Sequence, residues 1–331
     1  MPCNLDRTTR RGFMTGLAAL SLAVPLPGHA SAPAATGLTV VGRDQWLFPL
    51  WDVMSRLDQA QLRSVAAVMN EAIGLLRQAR IEVVVALVPS KARSYRQFLP
   101  PQTTLAPDID RRYPLAIAEL RRSGALVPDL DTPFQSAARS QQLYFKADTH
   151  WLPEGAALAA TELARQTTSG LKLPASSQPG TKLGEVTTAT NPVSDLLRFL
   201  PPAARAAYPQ EQYRVRNAVT TASPAALIED DSADMVVLGN SFAQPRYGFS
   251  AQLSNALNRP VSLVWKPNNF GAYHTLLEYL RSPLFRQQRP KALVWQHLEI
   301  DMQNLPNSSS WGQQAMPPRE FIANVQTALR G

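Results

Sequence analysis

The sequence predicts a three-layer α/β/α protein with a mostly parallel central sheet. Three observations predict it. Short apolar, β-branched runs recur, as in IEVVVALVP (81–89), ADMVVLGNSF (233–242) and PKALVWQHLEI (290–300). Strands covered on both faces read this way. Stretches with helical spacing of apolar residues alternate with these runs. The chain has 331 residues, 45% hydrophobic and 18% charged, enough to bury a large core.

The N-terminus stands apart. RTTRRGFMTGLAALSLAVPLPGHASAP (7–33) places Arg10 and Arg11 before Phe13, then a short apolar run, then Ala30-Ser31-Ala32. This is the form of a twin-arginine secretory signal. It predicts residues 1–32 as signal and 33–331 as the exported domain, facing the periplasm whether the signal is cleaved or kept as an inner-membrane anchor. No apolar run after position 40 is long enough to span a bilayer.

WLFPLWD (46–52) opens the domain. Residues 58–79 place Leu62, Val65, Val68, Met69, Ile73 and Leu76 at helical spacing behind a capping Asp58. Strand 81–89 follows, then a helix over 110–122, a strand in GALVPDL (124–130) and a short helix in TPFQSAARS (132–140). QLYFKADTHW (142–151) reads as extended, and Pro153 starts a helix to about Gln166. Residues 169–225, rich in Pro, Ser, Thr and Ala, read as loops or small strands inserted in the domain. Order returns with strand 233–242, a helix near 247–258, strand 260–265, helix 271–282, strand 290–300 and a final helix over 317–329. There are no internal repeats.

Composition narrows the chemistry. The only cysteine, Cys3, lies in the signal, so residues 33–331 offer no disulfide, thiolate nucleophile or cysteine metal site. The formal charge is +8; without Arg7, Arg10, Arg11 and Asp6 it becomes +6. That excess suits either solubility or a polyanionic partner. No nucleic-acid motif is present, and no nucleic-acid partner is expected.

The chain has four histidines: His29, His150, His274 and His297. In an extended segment Asp148 and His150 would share a face. The carboxylate could then hold one ring nitrogen and leave the other as a base. A surface pair at a strand end is the plain alternative. A metal site is disfavoured by the three remaining histidines and the lack of a His-x-x-x-His pair. A base needs a nucleophile, and MVVLGNSF offers Ser241 at the carboxyl end of a strand, where open α/β sheets keep their sites. An ordinary polar turn is the alternative there. His274 and His297 read as structural or surface residues. Trp46, Trp51, Trp265 and Trp295 read mostly as core, and Trp151, next to His150, is a candidate sugar contact.

GNSF resembles the Gly-Asp-Ser block of SGNH (GDSL-type) esterases, with Asn240 in place of Asp. The order is permuted, because Asp-x-His precedes the serine. That order, with DTHW, VPSKARSY, VVLGNSF and NNFGAYHTLLEYL, is similar to the periplasmic alginate O-acetyltransferases of the AlgX/AlgJ type, over roughly residues 40–300. The resemblance implies an SGNH-hydrolase-like fold, with Ser241 as nucleophile, His150 as general base and Asp148 as its orienter. It also implies Tyr247 near the acetyl group, Tyr273 as a second active-site tyrosine, Asn268 or Asn269 as an oxyanion donor, and Lys91 as a substrate contact or a solvent-exposed strand-end lysine. The chain runs only one helix beyond its last strand, which is closer to AlgJ than to AlgX with its carbohydrate-binding module.

The activity so implied is transfer of an acetyl group, through acetyl-serine, to a hydroxyl of an exported glycan such as alginate or cellulose. No metal or cofactor is called for. The implied partners are the polysaccharide acceptor, a membrane-bound O-acyltransferase that delivers acetyl groups, and a polysaccharide export complex. Two other functions fit the same residues: an acetyl esterase, in which water takes the acyl group, and an inactive polysaccharide-binding or scaffold protein.

Overall fold

Four strands carry the fold: the buried β3 (Glu82–Val88), β6 (Met235–Gly239) and β8 (Ala292–Leu298), and the half-buried β7 (Val261–Trp265) at the sheet's edge. They pair in the order β3-β8-β6-β7, all parallel, with Val85 opposite Trp295 and Val237 opposite Val294. The computed structural model describes residues 37–192, 194–219 and 233–331. The signal expected over 1–32 lies outside the described residues. Pro33–Gly331 forms one compact unit. Among the described residues no helix is long and apolar enough to cross a membrane.

Helices cover the sheet in two groups. Gln59–Gln78, Arg112–Leu120, Ala272–Arg281 and Pro318–Arg330 pack with one another. Asp131–Ala137, Pro153–Gly170 and Phe249–Leu257 form the second group. The first long helix begins where its sequence allows: the Asp58 carboxylate accepts the Gln61 N–H at 2.9 Å, capping an otherwise unpaired donor. Its buried stripe runs through Leu62, Val65, Met69, Ile73 and Leu76, the spacing read from the sequence.

Two segments depart from expectation, and the expected small inserted strands take a definite form. GALVPDL makes only a bridge between Leu126 and Val84. Gly124 turns the chain with φ +77°, and Pro128 has no N–H to extend the ladder. QLYFKADTHW is not extended throughout; Tyr144 pairs back on Trp151, and the Phe145 N–H reaches the His150 carbonyl at 3.1 Å. The chain therefore turns sharply through Lys146–Thr149. The 169–225 stretch contains an antiparallel hairpin, β4 (Leu183–Thr190) with β5 (Gln212–Ala218), separate from the main sheet. A short 3₁₀ turn, Asp195–Phe199, lies between those two strands. A further pair, β1 (Thr39–Val41) and β2 (Leu47–Pro49), closes the N-terminal side.

Candidate active site

All four strands of the main sheet end at one cleft of about 630 Å³. Pro89, Ser90 and Lys91 follow β3, Ser241 and Phe242 follow β6, Pro267–Asn269 follow β7, and Glu299 and Ile300 follow β8. Carboxyl ends of parallel strands are where open α/β sheets hold ligands.

The turn after β6 is built around small and polar residues. A Cβ on Gly239 would sit 2.5 Å from the Ala243 Cβ and 2.8 Å from Gln296 Oε1, so only glycine lets the chain pass. The Asn240 N–H donates to Gln296 Oε1 at 2.8 Å, and its side-chain oxygen accepts the Phe242 N–H at 3.0 Å. Its amide nitrogen donates to Asn268 Oδ1 at 2.9 Å. An aspartate here could make the first two contacts but not the third. The departure from the Gly-Asp-Ser block thus has a physical partner. The Ser241 N–H has no acceptor among the described residues.

The turn through 146–149 delivers the other two side chains. Asp148 Oδ1 accepts the His150 backbone N–H at 3.0 Å, an Asx turn, and lies 2.6 Å from His150 Nδ1. His150 Nε2 lies 2.8 Å from Ser241 Oγ. The pair is therefore brought together by the turn, not by alternation along a strand. Asp148 Oδ2 accepts from Asn191 Nδ2 at 3.1 Å and from the Asp195 N–H at 3.2 Å. Burial works to raise the Asp148 carboxyl, but the hydrogen bonds and charge of His150 and the amide of Asn191 outweigh it and hold it far below the carboxylate range. The aspartate is thus ionised and the imidazole is fixed with Nδ1 toward it, leaving Nε2 facing the serine.

Lys91 is not exposed, and its ammonium is turned onto the backbone. It is 3% exposed, and its Nζ donates to the carbonyls of Leu47 at 2.7 Å, Lys146 at 2.9 Å and Asp148 at 2.8 Å. All three ammonium protons are used. Burial pulls its pKa down to about 8, with the charges of Glu211, Asp148, Asp195 and Asp52 opposing.

Of the other expected residues, Tyr247 stacks on His150, ring centroids 5.3 Å apart at 26°, and is fully buried with its hydroxyl unpaired among the described residues. Asn268 and Asn269 both line the cleft. Asn268 is engaged by Asn240 and bonds Asp301, whereas Asn269 is exposed. Trp151 is wholly buried, its indole N–H donating to the Phe242 carbonyl at 2.8 Å; it braces the turn that carries Ser241 and has no exposed face to stack on a sugar. Tyr273 lies in the core among Trp295, Trp311 and Phe321, its hydroxyl donating to the Asn304 carbonyl at 3.1 Å, away from the cleft lining. The reason is register: Tyr273 lies on the buried stripe of Ala272–Arg281 with Leu276, Leu277 and Leu280. His297 is buried within β8, and burial lowers it to about 3. His274, half-buried, packs edge-on to Phe270.

Sequence reading missed Asn191, Asp195 and Gln296, which position the site, and the exposed Trp51 at its mouth. Asp148, His150 and Asp195 offer donor atoms within 4.8 Å of one another. The 2.6 Å contact between His150 Nδ1 and Asp148 is shorter than the spacing of two ligands that each sit ~2 Å from a cation, so the arrangement is that of a hydrogen bond. Beneath the cleft, Glu299 accepts from Arg93 Nε at 3.0 Å, Arg112 Nε at 2.9 Å and the Ser90 N–H at 2.8 Å, a buried clamp across β3 and β8.

Fold and side-chain geometry together define the class: an SGNH-hydrolase-like α/β/α protein whose Ser, His and Asp converge at the carboxyl ends of a parallel sheet. The family model described as "SGNH hydrolase-like domain, acetyltransferase AlgX" matches residues 39–299, and the chain belongs to that family. It is 29% identical over 277 residues to the "Probable alginate O-acetylase AlgJ" of Pseudomonas putida, covering 78% of this chain and 69% of that one. The solved O-acetyltransferase domain of Pseudomonas putida AlgJ is similar at a TM-score of 0.70 and 26% identity, covering 88% of this chain and 99% of that one. Pseudomonas aeruginosa AlgX shares the fold at a TM-score of 0.59 and 21% identity, covering 86% of this chain and 67% of that one. The chain is thus an acetyltransferase-family protein.

Proposed function

We propose that this protein is a periplasmic, serine-dependent polysaccharide O-acetyltransferase. The observation that carries the reading is the unbroken line from Asp148 through His150 Nδ1 at 2.6 Å to His150 Nε2 and Ser241 Oγ at 2.8 Å. His150 Nε2 takes the Ser241 proton as the oxygen attacks the carbonyl carbon of an acetyl ester. The tetrahedral oxyanion accepts hydrogen bonds from the Ser241 N–H and from Asn269, the exposed amide at the cleft. Collapse expels the donor alcohol, which takes the proton from His150, and leaves acetyl-Ser241. A sugar hydroxyl then gives its proton to His150 and attacks the acetyl carbon; the bond from that carbon to Ser241 Oγ breaks, and Oγ takes the proton back from His150.

The acceptor lies at the mouth of the cleft. Trp51, 41% exposed, meets Phe199 edge-on at 6.4 Å, and the Arg198 guanidinium lies over the Phe199 ring at 4.6 Å. Arg198 has no ion pair among the described residues, and it lines the cleft. An aromatic face beside a free guanidinium suits a glycan carrying carboxylates, which agrees with the alginate named for the relatives. The twin-arginine signal supports export to the periplasm. A membrane-bound O-acyltransferase would supply the acetyl ester, and an export complex would supply the polymer.

The test uses an activated acetyl ester with and without uronate or neutral oligosaccharides. Acetylated oligosaccharide and a trapped acetyl-Ser241 are expected, both lost in Ser241→Ala. Release of acetate alone would make the protein an esterase. Failure of Ser241 to accept any acyl group or serine-directed inhibitor would leave only a binding role.

A further inference from the structure

We infer that Asp195 is a positioning residue for the same reaction, a second anion that stabilises the imidazolium of His150 during proton transfer. The inference rests on the acyl-transfer reading of the site. Asp195 Oδ2 lies 3.9 Å from His150 Nδ1, the same ring nitrogen that Asp148 holds at 2.6 Å. It is held there by Thr149: Oδ1 accepts the Thr149 N–H at 2.7 Å, and Oδ2 accepts its hydroxyl at 2.5 Å. The Thr149 hydroxyl in turn lies 3.4 Å from His150 Nδ1. Asp195 also returns its own backbone N–H to Asp148 Oδ2. The 3₁₀ turn that begins at Asp195 thus grips both members of the Asp-His pair.

Chemistry gives the two carboxylates different tasks. Asp148 is saturated: two donors reach each of its oxygens. It sets the tautomer and cannot adjust. Asp195 carries one contact per oxygen to Thr149, and its side chain is 26% exposed. When the Ser241 proton moves to His150 Nε2, a positive charge forms on the ring. Burial, and then the charge of Asp148, raise the Asp195 carboxyl above its ordinary value, against the pull of His150 and Thr149. Once ionised, a carboxylate 3.9 Å away lowers the cost of that charge, less than in a dry interior because water reaches it.

The other groups around the imidazole do not duplicate this. Tyr247 and Phe242 flank the ring without charge. Lys91 is spent on carbonyls, including that of Asp148. The Arg246 guanidinium sits over the Tyr247 ring at 4.7 Å and reaches Asn191 Oδ1 at 3.4 Å. Glu211 caps the N–H groups of Lys146 and Ala147. Asp195 is therefore the charged group outside the Asp148 pair that faces the ring most directly among the described residues.

Asp195→Asn separates charge from structure, because the amide oxygen can still accept the Thr149 N–H and the backbone N–H to Asp148 is untouched. The acylation rate of Ser241 by an activated acetyl ester is followed by intact-protein mass across pH 4–9, at low salt and at 1 M salt. The acid limb of the variant is expected to move down by about half a unit to one unit, with a smaller difference at high salt. An unchanged limb with a lower plateau would mean a structural role and overturn the inference. Failure of the wild-type serine to take an acyl group at any pH would remove the acyl-transfer reading and this inference together.

Discussion

Lys91 Nζ lies 2.8 Å from the backbone carbonyl of Asp148, so the cation nearest the candidate triad holds the chain rather than the substrate. The ammonium ties strand β2 to the turn that carries Asp148 and His150, through the carbonyls of Leu47 and Lys146. Replacement by methionine would leave three carbonyls without that donor. We expect Lys91→Met to lose about 3 kcal/mol in chemical denaturation, near 1 kcal/mol or more per unpaired group. Acylation of Ser241 should fall as well, because the Asx turn loses its tether. Wild-type stability with reduced acceptor affinity would instead point to a substrate-binding lysine.

Asn240 is the one departure from the usual serine block, and its amide donates to Asn268 Oδ1 at 2.9 Å. Asn240→Asp would set two oxygens against each other unless Asn268 turned over. Turning it would present its amide nitrogen to the new carboxylate and its oxygen to Asp301. The expected result is a fall of about five- to thirty-fold in the acylation rate, about 1–2 kcal/mol of transition-state stabilisation, with stability changed less. Asn240→Asp with full activity would show that this contact does not position the turn.

The alternation of β-branched runs with amphipathic helices made the parallel sheet and most of its helices legible, because burial on both faces imposes that pattern. Ser241 and the Asp148–His150 pair were legible for chemical reasons: a serine at a strand's carboxyl end, and an imidazole two residues from a carboxylate. Tyr273 and Trp151 could not be sorted by type, since an aromatic residue on a buried stripe and one at a cleft look alike in sequence. Lys91 was misread because its acceptors are backbone carbonyls, which leave no mark on the sequence. Asp195 and Asn191 lie in the stretch without periodicity. Their role comes from a long-range fold-back that local pattern does not encode.

Arg198 and Trp51 line the mouth of the cleft without touching the triad. Their removal should separate the two halves of the reaction. In Arg198→Ala, acetyl-Ser241 should form at the wild-type rate, while the concentration of uronate oligosaccharide needed for half-maximal transfer rises about five- to thirty-fold, the loss of one charge-assisted contact. Trp51→Ala should weaken neutral and anionic oligosaccharides alike. If Arg198→Ala leaves uronate transfer untouched, the acceptor enters from another side.

Asp301 gives the protein a pH-dependent element of stability. It is 2% exposed, accepts the Leu298 N–H at 2.8 Å, and follows the last strand of the sheet. Burial pushes its pKa up to about 7, against the pull of the Leu298 N–H and Asn268. In the unfolded chain it titrates in the ordinary carboxylate range. Between these values the folded state holds the proton and the unfolded state does not, so stability falls as pH rises. The contribution is complete below pH ~4 and gone above ~7, on the order of 4 kcal/mol across that window. Asp301→Asn keeps an oxygen for the Leu298 N–H but has no proton to lose. Its unfolding free energy should therefore gain on that of the wild type as pH rises from 5 to 8, by a few kcal/mol, with the two differing least sensitively to pH below 4. Parallel stability curves from pH 4 to 8 would show that Asp301 is ionised in the folded protein, and that Asn268 is held by a carboxylate.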